Sequence, residues 1–187
     1  MKTSGYFSYL QQIDIKSVPY ILGVGYELKG TGGGWRMYAM ASLIDVSIPS
    51  SPKTITTFND ARPSYETFYD SLGVRYLPEN NKLILPVSKS DFNINGIYNY
   101  TDGFVVYDIT ATSITPAFYV THSTTVSICW YNDIVPARSF VIQSELITIM
   151  GHTAISTDMK SGTFISEIDL DVGFNYSVCD PWWYYDY

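Results

Sequence analysis

Leu83-Ile84-Leu85-Pro86-Val87, followed after a polar interval by Val105-Val106-Tyr107-Asp108-Ile109, reads as an apolar strand and then a strand that ends near an acid. The pair recurs. Upstream, Ile21-Leu22-Gly23-Val24 precedes Leu43-Ile44-Asp45-Val46, and downstream Leu146-Ile147-Thr148-Ile149-Met150 precedes Ala154-Ile155-Ser156-Thr157-Asp158-Met159. A short Thr/Ile-rich strand closes each unit: Thr54-Ile55-Thr56, Ser113-Ile114-Thr115 and Thr163-Phe164-Ile165. With a β-rich segment opening each unit, four short strands recur at roughly 50 to 60 residues. That is the pattern of a propeller blade, a unit that must stack on its neighbours to bury its faces.

Working outward, the pattern predicts an all-β chain: a partial β-propeller of about three four-stranded antiparallel blades, at about 5–58, 72–128 and 137–171, within a propeller segment 1–171. An aromatic tail, 172–187, follows. A closed β-sandwich is the alternative. Composition agrees with either, because 17 Tyr, 9 Phe and many Thr, Ile and Val suit a pleated, half-buried surface, and helical spacing of Ala, Leu, Glu and Lys is absent. Little or no helix is expected.

Charge excludes one class of partner. At a net charge of −7, with 11 scattered Lys and Arg, the chain lacks the basic stripe that nucleic acid requires. Its apolar runs are far too short to span a bilayer, so no transmembrane segment is expected. No signal-peptide h-region follows Met1-Lys2-Thr3-Ser4-Gly5.

The connections differ between units. Lys29-Gly30-Thr31-Gly32-Gly33-Gly34 lacks the Lys-Ser/Thr and the helix that would make it a phosphate cradle, so it reads as a flexible strand connection. Pro78-Glu79-Asn80-Asn81 marks a hairpin in the second unit, and Ser88 to Gly103 reads as a long polar connection. In the third unit the corresponding link shrinks to Gly151-His152. The two longer links thus read as insertions on one face, and such insertions often build the binding face of a repeat fold.

Several of these runs resemble a known family. Tyr20 to Glu27, Ser42 to Pro49, Leu83 to Ser88 and Ala137 to Ile147 resemble, in order, secreted proteins with a C-terminal β-propeller distantly related to WD40 repeats. The resemblance covers roughly Tyr20 to Asp171 and implies an extracellular or cell-surface propeller without assigned catalysis. One position departs: Asp70-Ser71 stands where the family has an Asp-His pair.

Known propellers close with about four to eight blades, so three leave open edges that invite pairing. Completion by missing sequence, by a protein partner or by self-association is expected. The tail's Trp182, Trp183, Tyr184 and Tyr185 suit either a cover for the last blade or an interface with a neighbour.

The sharpest chemical motif lies in the second unit. Asp91, Asn93, Asn95, Gly96, Ile97 and Asp102 follow the spacing of a calcium loop, with side-chain oxygens at positions 1, 3 and 5, a turn glycine at 6, a carbonyl at 7 and a carboxylate at 12. Asp replaces the usual bidentate Glu and no helices flank the loop, so calcium binding would be weak; a polar hairpin whose Asn and Asp form side-chain turns fits the same residues. Asn99 and Asn175 are glycosylation acceptors if the chain enters a secretory route. Cys129 and Cys179, the only cysteines, would stabilise by roughly 4 kcal/mol if bridged, or pack as small hydrophobes if reduced. The extracytoplasmic setting that the resemblance implies favours the bridge.

Catalytic motifs are missing: there is no Gly-x-Ser-x-Gly or His-Glu-x-x-His, and His122 in Thr121-His122-Ser123 reads as a strand-end or rim histidine. A pair of carboxylates would suffice for glycoside cleavage. Yet Asp45, Asp108 and Asp158 fall at equivalent places in the repeats, which predicts a repeated structural role, each capping a turn or bonding backbone at the strand end. The expectation is a non-enzymatic extracellular or surface module for structure or interaction, with a carbohydrate-binding or glycoside-cleaving propeller as the alternative.

Overall fold

The computed structural model describes residues 5–31, 34–63, 71–92, 98–122 and 137–170. Within them, β1 (Gly5–Ile15), β2 (Val18–Thr31), β3 (Gly34–Asp45) and β4 (Lys53–Pro63) pair in chain order as a first antiparallel sheet. A second holds β5 (Arg75–Leu77), β6 (Lys82–Phe92), β7 (Tyr98–Ile109) and β8 (Ile114–His122). A third holds β9 (Ala137–Ile142), β10 (Glu145–Met150), β11 (Thr153–Asp158) and β12 (Phe164–Asp169). These are the three expected four-stranded blades. The one helical element among the described residues is a 3-10 turn at Ser71–Gly73.

Register makes the repeat exact in a way that residue identities do not. Asp45 stands opposite Tyr20, Asp108 opposite Lys82 and Asp158 opposite Glu145, so the second and third strands of the three blades superpose position by position. Every closing strand carries a bulge at the same place. Pairing passes from Thr54 to Thr56, from Pro116 to Phe118 and from Phe164 to Ser166, skipping Ile55, Ala117 and Ile165. An extra residue there bends the strand and increases its twist, so each blade is shaped alike where it meets the next.

Alternation along the strands explains the stacking. In β2, Leu22 and Val24 point toward the second blade and join Leu83, Leu85, Val87, Val105 and Tyr107 in one core. Residues of opposite parity on the second blade, Ile84, Phe104 and Val106, pack on Leu146, Met150 and Ile155 of the third. The middle blade is therefore buried on both faces, which is why its strands read as unbroken apolar runs. The three sheets lie in series, with one between the other two, so the sandwich alternative does not hold. Pro86 fits because β5 covers only Lys82 to Ile84 of β6, leaving Pro86 on a free edge, where a ladder tolerates proline.

Two expected loops are strands instead. The glycine-rich link is the end of a long hairpin, in which Lys29 pairs with Arg36, Gly30 with Trp35 and Thr31 with Gly34. Likewise β6 runs on to Phe92 opposite Tyr98. The third hairpin turns after Met150 opposite Thr153. Relative to it, the first hairpin continues from Tyr26 opposite Ala39 to Thr31 opposite Gly34, and the second from Ser88 opposite Asp102 to Phe92. At about 3.4 Å per residue each extension adds about 15 to 20 Å. Composition misled here because Gly, Ser and Asn lower strand propensity, while backbone pairing with an already formed partner outweighs it.

Candidate interaction surface

At the blade ends the repeated acids behave as turn anchors. The Asp45 carboxylate accepts the Ser47 N–H at 2.8 Å. That of Asp158 accepts the N–H groups of Lys160 at 3.1 Å and Ser161 at 2.7 Å, and the Ser161 hydroxyl at 2.7 Å. These bonds, from Ser47 and from Ser161 respectively, hold each carboxyl below the usual carboxylate range. In the second blade the roles split: Asp108 pairs with Lys82 Nζ at 2.7 Å across β6 and β7, and Thr110 Oγ1 takes over the turn by accepting the N–H groups of Thr112 and Ser113. Asp45 and Asp158 thus anchor turns at strand ends, as the repeat predicted, whereas Asp108 is held by a lysine across the ladder.

Polar contacts cross the seam between the second and third blades. Arg75 Nη1 donates to the Ser139 carbonyl at 2.9 Å. His122 closes β8 and is 1% exposed, so it is a strand-end histidine but not a rim one. The Thr148 hydroxyl donates to the Ile155 carbonyl at 3.4 Å and so accepts from His122 Nε2 at 2.9 Å. That fixes the proton on Nε2 and leaves Nδ1 buried without a hydrogen-bond partner. Burial brings the imidazole down to about 4, with the charge of Asp102 opposing. A further lock comes from Gly162, whose φ of +73° lets the chain lie against the Phe118 ring, where a Cβ would stand 2.4 Å from Cγ.

The forward face of the third blade has no such cover among the described residues. Ile147 and Ile149 occupy the places that Ile84 and Pro86 hold in the second blade and Leu22 and Val24 in the first. There, however, the alternate residues of β9 and β10 are only half-buried. Ile142 at 56% exposure and Ile168 at 60% lie on the same side, opposite Glu145 and Ala154. Phe140 stands opposite Ile147. Within the row Ser156 stands opposite Ile147, is buried, and donates its hydroxyl to the Glu145 carboxylate; the exposed apolar side chains beside it suit contact with another β-sheet.

The residues expected from the sequence are not gathered at that face. Asp91 pairs with Asn99 in the β6–β7 ladder and Asp102 with Ser88, three register positions, about 10 Å, apart along the strands. Positions 1 and 12 of the calcium spacing therefore both sit in the β6–β7 ladder. Asn93, Asn95 and Ile97 lie outside the described residues, as do Cys129, Cys179, Asn175, Trp182, Trp183, Tyr184 and Tyr185. Asn99 lies within β7. No group of three metal-ligating side chains occurs among the described residues, and no described helix is long and apolar enough to cross a membrane. What motif reading missed is the open face itself, although the alternation Phe140, Ile142 and Ile147, Ile149 carried its signal.

A family model described as a beta propeller domain matches residues 1–162. No curated protein matches the chain, and no solved structure does.

Proposed function

The chain belongs to the beta propeller domain family, and on that premise we propose that it is a non-enzymatic module for structure or interaction, working outside the cell or at its surface as part of a larger assembly. The observation that carries the reading is the forward face of the third blade, where positions that the first two blades bury against a neighbour stay open, with Ile142 and Ile168 more than half exposed. Apolar surface of that kind on a sheet is a docking site by its chemistry. The extracellular setting draws on the family resemblance, and it would place glycans on Asn99 and Asn175 and a bridge between Cys129 and Cys179. Weak calcium binding through Asp91, Asn93, Asn95, Ile97 and Asp102 belongs to the same reading; a melting temperature that millimolar calcium leaves unmoved would remove it.

The local engagement of Asp45, Asp108 and Asp158 supports the absence of carboxylate catalysis. The test of the module is a hydrophobic-dye titration beside concentration-dependent sedimentation. The wild-type chain is expected to self-associate or bind the dye, and Ile142→Ser with Ile168→Ser is expected to abolish that behaviour at an unchanged far-UV spectrum. A chain that stays monomeric at high concentration and binds no dye would sink the reading.

A further inference from the structure

We propose that a cleft at the seam between the second and third blades binds a small hydroxylated carboxylate, of the size of one uronic acid unit. The cleft is separate from the open apolar row on which the module reading rests.

The repeat itself marks the cleft out. At the turn ends of the first seam, Tyr20 of the first blade meets Tyr76 and Ile109 of the second, and all three are buried in one core. Register puts Lys82, Val141 and Met159 at the corresponding places of the second seam. Lys82 stands opposite Asp108 as Tyr20 stands opposite Asp45, Val141 pairs with Leu146 as Tyr76 pairs with Leu83, and Met159 follows Asp158 as Ile109 follows Asp108. A lysine and a valine do not fill the space of two tyrosines. What remains is a cleft of about 290 Å³, lined by these three residues together with Asn80, Gln143, Ser144, Asp158 and Lys160, and it lies near the lower limit of about 300 Å³ for small-molecule pockets. A feature that recurs from blade to blade serves the fold, whereas this one breaks the repeat.

The hydrogen-bonding groups around the cleft are committed unequally. The acids are engaged: Asp158 Oδ1 accepts the N–H groups of Lys160 and Ser161 and the Ser161 hydroxyl, and Asp108 accepts from the Lys82 ammonium at 2.7 Å. The cations keep donors to spare. An ammonium carries three, so Lys82 has two beyond its bond to Asp108, and its side chain is only 11% exposed, which holds it in place and favours a charge-assisted bond. The Lys160 ammonium, the Asn80 and Gln143 amides and the Ser144 hydroxyl make no hydrogen bond among the described residues, and Gln143 is fixed in a tight turn by its φ of 57°.

Two cationic donors suit a carboxylate, whose two oxygens both accept. The amides and the hydroxyl suit ligand hydroxyls, and Val141 and Met159 give a carbon ring an apolar wall. Asp108 and Asp158 stand close enough to both cations to disfavour a more highly charged anion such as phosphate.

The experiment is a titration of the full chain with D-glucuronate, followed by the NMR shifts of the lining residues, with D-glucose, acetate and inorganic phosphate titrated in parallel. Glucuronate is expected to shift Val141, Gln143, Met159 and Lys160 with a dissociation constant on the order of millimolar, and each of the other three to bind at least about tenfold more weakly. Lys160→Gln alters an exposed side chain and leaves the backbone bonds to Asp158 in place, so it is expected to weaken glucuronate about fivefold at an unchanged melting temperature. Lys82→Met is expected to abolish the shifts; if that variant does not fold, Lys160→Gln decides alone. Glucuronate bound equally well by Lys160→Gln would overturn the site, as would shifts confined to other residues or no shifts at all. Glucose or acetate bound as tightly as glucuronate, or phosphate bound more tightly, would overturn the ligand class.

Discussion

His122 concentrates the chemistry of the second seam in one side chain. Its Nε2–H is spoken for by Thr148 and its Nδ1 faces no partner, so a second proton would place a charge between two sheets. Folding therefore lowers its affinity for that proton from an ordinary 6.5 to about 4. Because the unfolded chain takes up the proton first, stability is complete above pH 6.5 and declines as pH falls through the window down to about 4. The expected loss is on the order of 3 kcal/mol across that window. Asp45 and Asp158, held below 3.8, act only under more acid conditions. Urea midpoints at about pH 7.5 and about pH 4.5 should differ strongly for the wild type and little for His122→Gln, which keeps an amide donor for Thr148. Equal slopes for both proteins would show that His122 is not the group that titrates. None of this was legible beforehand: the sequence placed His122 at a strand end, and only the third blade's Thr148 and Phe104's neighbouring ring, 5.7 Å away, decide its burial.

At the scale of the strand, the repeat provides an internal control. Ile84 and Ile147 are the same residue type at the same blade position, but Ile84 is fully buried by the third blade while Ile147 is only half-buried. Ile84→Ala should lower stability by about 2 to 5 kcal/mol, the range for a buried large-to-small change, and Ile147→Ala by about 1 kcal/mol or less in dilute solution. Denaturant unfolding of the two variants checks this, and equal losses would mean that the third blade's forward face is covered in the free chain. The bulges at Ile55, Ala117 and Ile165 were hidden from reading by pattern, since one extra residue among short Thr/Ile strands looks like ordinary alternation. The extended hairpins were hidden for the opposite reason: Gly30 and Ser88 to Asp91 are poor strand formers that pair because their partners are held opposite them.

Across the whole molecule, stability should be graded by how many faces each blade covers. The middle blade packs on both sides, whereas every residue of β12 is exposed. Amide hydrogen exchange is expected to be slowest in β6 and β7 around Ile84 and Val105 and fastest in β12, where edge position and exposure favour local opening. Protection of β12 equal to that of β6 in dilute solution would contradict this gradient. The sequence by itself determined the strand count, the blade period and two turn-anchoring acids, Asp45 and Asp158, because alternation, turn residues and recurrence are local properties written in every 50 to 60 residues. The tertiary structure alone decided which face of each blade meets which neighbour, where the polar seam lies and which apolar rows stay open. Those depend on the parity of pairing between strands, and a shift of one residue would exchange every buried side chain for an exposed one.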